Sequence, residues 1–462
     1  MTSWPDPPVL AERAALCDVL ARQYNAVETA SLVRASGSVV KVTGPLVQAT
    51  LPQVRVGELC RIGPLPGSGA LLAAEVIGFS EHQAMLSPFG STEGVGPGMP
   101  VWPQGRPQAM CVGQHLLGHL LDGFGQPLSA VGPVDREAVE VPVRATAPAV
   151  FDRLPVTEAL STGVRVIDGL LTLGRGQRMG VFAGPGCGKT TLMKAIGAAV
   201  DCDVVVYALI GERGRELAEM AAMLEQPGLR ERVVIVGATS DRSAGERMRA
   251  AYTATAIAEG FRAQGRDVLL LVDSLTRYVR AVREISIAAG EPTGRTGLPA
   301  SVYAELPRLV ERAGNTRQGS ISALYMVLAE GAVRDDPIAD EVRSLVDGHI
   351  VLSAALGEKG IYPAVNVLES LSRLMHDIVE DGHREASVRA RQLMSRYEDM
   401  ELLIRLGEVK PGADAETDLA IAAHEDLLAF RCQAMGQSSA FDDTVDQLAR
   451  VARRYAAGRG GR

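Results

Sequence analysis

The sequence predicts an α/β protein in three parts: a small N-terminal β-barrel, a central parallel sheet covered by helices on both faces, and a C-terminal helical domain. Three observations carry this. Short strand-like runs broken by Gly and Pro crowd residues 31–100. Over 151–375, continuously apolar runs alternate with helical patterns, as strands buried on both faces require. From 376 to 462 the periodicity is helical almost throughout.

Taken in order, residues 1–30 hold an amphipathic pattern from Val9 to Tyr24, with Leu10, Ala14, Cys17, Leu20 and Ala21 at helical spacing. The barrel strands are GSVVKVTGPLVQATL, GELCRI, ALLAAEVIGF and QAMLSPF; simple alternation puts Val39, Lys41 and Thr43 on one face. A loop-rich connecting segment occupies 101–150. In the central part QRMGVFAG precedes KTTLMKAIGAAV, VVVYALIG precedes RELAEMAAMLEQ, and RVVIVGAT precedes AGERMRAAYTATAIAEGFRAQ. VLLLVDSL then leads to a helix through Val279–Ala289. EASVRARQLMSRYEDMELLIRLG and AETDLAIAAHEDLLAFRCQAM are the C-terminal helices, and RRYAAGRGGR is a basic, Gly-rich tail.

Composition excludes several classes. The charge is −8, from 47 basic and 55 acidic side chains, and aromatic residues make up 4 %. Both argue against a nucleic-acid partner, which needs a positive surface or stacking platforms. No apolar run reaches the roughly 18 residues of a membrane span. MTSWPDPPVL has neither a basic nor an apolar leader region, so no cleaved secretory signal is expected. The six cysteines are scattered and read as reduced thiols of a cytoplasmic protein.

The strongest local signal is Ala183-Gly184-Pro185-Gly186-Cys187-Gly188-Lys189-Thr190-Thr191, between an apolar strand and a helix. That context defines a phosphate-binding loop, with backbone N–H groups turned inward and a helix N-terminus behind them. Lys189 supplies charge for the β- and γ-phosphates, and Thr190 a hydroxyl for Mg²⁺. Cys187 is a small packing residue within the loop, and Ala183 stands where the strict pattern has glycine. Leu269-Leu270-Leu271-Val272-Asp273 is a buried strand ending in a carboxylate, placed to hold a water of the Mg²⁺ shell. Hydrolysis also needs a group that deprotonates water. VVVYALIG ends in Gly211-Glu212-Arg213-Gly214-Arg215-Glu216, whose carboxylates would face the γ-phosphate; by itself this cluster also reads as solvated surface charge.

GPGCGKTT, GERGRE, LLLVDSLTR, GEPTGRTGLPASVYAELPRLVERAG, DPIADEVRSLVDGHIVL and IYPAVNVLESLSR follow one another in an order and spacing that resembles the export ATPases of type III secretion. That family is related to the catalytic subunits of rotary ATP synthases. The resemblance spans roughly residues 30–440 and is densest over 150–376. It implies a RecA-like central domain, ATP and Mg²⁺, and a homohexamer. It further implies that Glu212 is the catalytic carboxylate, that Arg213 lies near the phosphates, and that Tyr362 stacks on adenine. Arg373 becomes an arginine finger for the neighbouring subunit. The implied partners are central-stalk and peripheral stator proteins and chaperone–substrate complexes, at the cytoplasmic face of the inner membrane. LVQATLPQVRVGELCRI and DEVRSLVDGHIVL favour the injectisome branch over the flagellar one. Rival readings are a rotary ATP synthase subunit, an RNA-translocating ring helicase, and a nucleotide-binding subunit without turnover. Asn366 replaces the family's usual Asp, and Phe430-Arg431-Cys432-Gln433 matches its adenine-side loop only loosely, so that segment stays outside the expected site.

Overall fold

The computed structural model describes residues 35–129, 132–135, 137–294, 296–329 and 336–456. The helix expected within residues 1–30 and the end of the basic tail lie outside them. Six antiparallel strands come first: β1 (Gly37–Thr43), β2 (Leu46–Thr50), β3 (Glu58–Ile62), β4 (Leu72–Ser80), β5 (Gln83–Pro88) and β6 (Pro100–Pro107). They close into a barrel in the order β1-β2-β5-β4-β3-β6 around Val47, Ile62, Val76 and Leu86. Alternation fails in β1. The register against β2 slips between Val39 and Lys41, so Val39 and Val42 turn inward while Lys41 and Thr43 are exposed. One extra residue on one strand does this, and only the partner strand reveals it.

β6 runs past residue 100. From the connecting segment, Leu120–Asp122 adds a short parallel edge strand to the central sheet. Along the main path the sheet order is Val365–Ser372, Gly348–Leu352, Arg178–Ala183, Ser320–Leu328, Asp267–Asp273, Val204–Glu212, Val233–Thr239, Leu120–Asp122. These pairings are parallel except that of Val365–Ser372, which runs antiparallel at the opposite edge. Every residue of Val204–Glu212 is buried, which is why the run shows no alternation in sequence.

Helices Ala244–Ala263, Leu275–Ala288 and Ala300–Val310 cover one face of the sheet. Lys189–Ala199 and the C-terminal helices cover the other. Ala244–Ala263 is buried on nearly all sides because the connecting-segment strands Ala109–Val112 and Val139–Pro142 pack on it, Gly260 against Val112, while the barrel end meets its N-terminal half, Gly245 against Ser87 and Pro88. There Glu75 of β4 pairs with Arg249, both almost wholly buried, and Arg249 also lies 5.2 Å from the centre of the Phe89 ring. The C-terminal domain is formed by Asp381–Leu406, Ala415–Arg431 and Phe441–Arg454. Gly407 ends the first at φ 72°, and the Asp414 side chain caps the second by accepting from the Thr417 N–H. Phe430 and Leu448, both fully buried, dock this domain against Gly169 of the short helix Arg165–Leu170.

Candidate active site

Parallel register brings three strand ends to one level. Ala183 pairs with Leu328, Met326 with Asp273, and Asp273 with Leu209, so Asp273 and Glu212 arrive beside the loop that follows Ala183. The loop turns on Gly186 at φ +78° and Gly188 at φ +81°, conformations that a side chain at either position would strain. Helix Lys189–Ala199 then starts with Lys189, Thr190 and Thr191 in its first turn.

Lys189 reaches back across the loop. Its Nζ donates to Asp273 Oδ1 and lies 3.7 Å from Glu212 Oε1. Both carboxyls are buried, Glu212 at 4 % exposure and Asp273 at 1 %. Burial, reinforced by the Asp273 charge, pushes the Glu212 carboxyl up to about 7, against the opposing pull of Lys189 and Arg277. Burial likewise raises Asp273 above the ordinary carboxylate range although Lys189 opposes it. Glu212 Oε1 has no hydrogen-bond partner, which leaves it a free lone pair.

Sequence reasoning missed the group that holds Glu212 from the other side. Arg277 Nη2 lies 3.3 Å from Glu212 Oε2, and Nη1 donates to the Gly211 carbonyl. The signal was present: Ser274 follows the strand, and its side chain accepts from the Arg277 N–H as the N-cap of helix Leu275–Ala288. That helix therefore begins four residues earlier than expected, and Arg277 sits in its first turn. Arg213, by contrast, is exposed at the start of the helix Gly214–Ala221.

Tyr362 lies over the loop, with two ring carbons 3.9 Å from where a Cβ on Gly188 would stand. Together they wall a cleft of about 660 Å³, closed on its far side by Cys432, Gln433, Ala434, Met435 and Gln437. Gln433 fixes that wall: its N–H donates to Tyr362 O at 2.8 Å, Oε1 accepts from Arg165 N at 2.9 Å, and Nε2 donates to Gly163 O at 2.8 Å. These partners are far apart in sequence, which is why the loose local match gave no sign of them. Cys187 is buried, as its packing role requires.

Arg373 is elsewhere. It follows strand Val365–Ser372, whose start pairs with Leu352 at the loop's edge of the sheet and whose end pairs with Gly348 at the opposite edge. The side chain is exposed and its guanidinium makes a long 3.5 Å contact with Arg343 O. It belongs to no cluster with Lys189 in the same chain.

The residues present suit Mg²⁺. Among the described residues no three His, Cys, Asp or Glu side chains form a metal cage. A hard ion held mainly by substrate phosphates and water needs only the Thr190 hydroxyl and a buried carboxylate such as Asp273.

A barrel, a parallel-sheet P-loop domain with a buried carboxylate facing its lysine, and a helical domain closing the cleft beside the loop define a P-loop nucleotide hydrolase. The sequence places it further. Residues 163–372 match the nucleotide-binding domain of the ATP synthase alpha/beta family, 39–105 its beta-barrel domain, and 379–450 the T3SS EscN ATPase C-terminal domain. The chain is 49 % identical over 436 residues to a type 3 secretion system ATPase of Pseudomonas savastanoi pv. phaseolicola, covering 92 % of this chain and 95 % of that one. It is 44 % identical over 431 residues to a flagellum-specific ATP synthase of Treponema pallidum, covering 93 % and 96 %. The assembled ATPase EscN of enteropathogenic E. coli superposes with a TM-score of 0.84 at 42 % identity, over 90 % of this chain and all of that one. The chain belongs to the type 3 secretion system ATPase family.

Proposed function

We propose that the chain hydrolyses ATP as one subunit of a homohexameric ring that energises protein export through a type III injectisome. The juxtaposition of Lys189, Asp273 and the unbonded Oε1 of Glu212 carries the reading. The loop N–H groups and Lys189 bind the β- and γ-phosphates, drawing the ammonium away from Asp273. Tyr362 and the 432–437 wall enclose the base. Glu212 orients the attacking water and takes its proton at Oε1, while Arg277 keeps the carboxylate aimed. Thr190 and, through a water, Asp273 would hold Mg²⁺, which would supply positive charge against that developing on the phosphate oxygens. Arg213, at the rim, meets the phosphates only if nucleotide binding draws its exposed side chain inward.

Arg373, at the far edge of the sheet, serves the neighbour's phosphates as a finger in trans. A relative's complex with its central stalk EscO supports a stalk partner for this chain as well. Stator proteins, chaperone–substrate complexes and a cytoplasmic position against the inner membrane complete the reading; among the described residues no helix is long and apolar enough to cross a membrane.

The test is Glu212→Gln, which keeps size and polarity and removes the base. Nucleotide affinity should stay within about threefold while turnover falls by at least about a hundredfold. Undiminished hydrolysis at saturating ATP would refute the assignment.

A further inference from the structure

Beyond the groups that touch substrate, we infer that Thr276 is a positioning residue for hydrolysis, setting the separation between the phosphate loop and the Glu212 carboxylate. The inference rests on the roles proposed above for Lys189, Asp273 and Glu212.

Thr276 and Arg277 are consecutive in the first turn of helix Leu275–Ala288, directly after Asp273. They reach in opposite directions. Arg277 holds the strand on one side of Asp273 through Gly211 O and Glu212. Thr276, 1 % exposed, holds the strand on the other: its Oγ1 accepts from Leu328 N at 2.9 Å and donates to Leu328 O at 3.3 Å. Leu328 is the ladder partner of Ala183, and the next N–H, that of Ala329, donates to Ala183 O at 3.1 Å. One helical turn thus ties three neighbouring strand ends, with the phosphate loop at one end of the brace and Glu212 at the other. Helix N-cap chemistry does not require this of Thr276, because Ser274 already caps the helix.

A hydroxyl that both donates and accepts cannot be replaced by an apolar isostere without releasing a buried N–H. The reaction tolerates little movement: displacement of about 1 Å between reacting groups costs on the order of a hundredfold in rate. Binding depends instead on the loop's own N–H groups, Lys189 and the base cleft, none of which Thr276 touches.

The experiment compares Thr276→Val, Thr276→Ser and Thr276→Cys with the wild-type full chain, measuring kcat, KM for ATP, equilibrium nucleotide affinity and melting temperature. Thr276→Val should lose about a hundredfold in kcat with KM and affinity within about twofold, and Thr276→Ser should recover kcat to within about threefold of wild type. Equal kcat in the Val and Ser variants overturns the inference, as does a Val variant whose loss lies wholly in KM. If Thr276→Val melts below the assay temperature, the Cys variant decides: its weak S–H bonding should place kcat about tenfold below Ser, and wild-type kcat there overturns the inference. Glu212→Gln in the same series keeps the two claims apart. Full turnover by that variant removes the site reading itself, whereas an inactive Glu212→Gln beside an unaffected Thr276→Val removes only the brace.

Discussion

If Arg373 completes the neighbour's site, two inactive variants should restore each other. Within one chain the finger cannot reach its own phosphate loop. Strand Val365–Ser372 carries it from the Tyr362 edge to the opposite edge, a span of about 25 Å at roughly 3.3 Å per residue. Arg373→Ala should bind ATP normally and lose about 10³–10⁵ in kcat, equivalent to roughly 4–7 kcal/mol of transition-state stabilisation. Glu212→Gln should be comparably inactive. In a ring with head-to-tail contacts, a complete site needs an Arg373→Ala subunit, whose Glu212 is intact, followed by a Glu212→Gln subunit, whose Arg373 is intact. Random assembly from an equimolar mixture makes about one interface in four complete. The subunits should be mixed dilute, concentrated to assemble, checked for mixed rings by mass, and assayed for a single-turnover burst of phosphate, since blocked neighbours can stall later cycles. A burst near a quarter of the wild-type amplitude is expected. Mixed rings with no burst above either parent would show that both residues act within one chain.

Three further outcomes follow from the same geometry. Because the Glu212 carboxyl is pushed up to about 7 in the free enzyme, kcat/KM for ATP should fall about tenfold per pH unit below that value. The sign for stability is fixed too: between the ordinary carboxylate range and about 7 the folded chain holds the extra proton on Glu212, so its contribution to stability declines as pH rises through that window, and Glu212→Gln makes the slope in a melting series shallower. Lys189→Ala should weaken ATP binding as well as turnover, read by titration with a fluorescent nucleotide; unchanged affinity would move phosphate recognition away from the loop lysine. Tyr362→Ala should raise KM about tenfold while Tyr362→Phe stays near wild type, and equal effects of the two would deny the ring a stacking role.

Local sequence carried the phosphate loop, because its glycines, lysine and flanking strand and helix all lie within a short stretch. Asp273 was legible for the same reason, as the polar end of a continuously apolar strand. Glu212 was ambiguous until the sheet order set Val204–Glu212 next to Asp267–Asp273 and buried it. Arg277 stands in the LLLVDSLTR run, but a helix expected from Val279 leaves it in a loop, whereas the helix in fact starts at Leu275. Gln433 could not be found from its neighbours, since its partners Arg165, Gly163 and Tyr362 are brought to it by the docking of the C-terminal domain. In the barrel, the bulge that turns Lys41 outward depends on β2, and no pattern within β1 encodes it.

The seam between the barrel and the N-terminal half of helix Ala244–Ala263 bears on how such chains can be recombined. A nucleotide domain cut free of its barrel would open Arg249 to water, whereas losing the carboxylate at position 75 within an intact chain would leave Arg249 buried without its partner, at a cost of about 3–5 kcal/mol. The barrel and the domain after it are therefore inherited as one unit in the physical sense. A chimera that takes its barrel from a relative must also take, or already share, the carboxylate at position 75 and the guanidinium at 249, whereas the surface loops of the barrel can diverge without the sheet beneath registering the change.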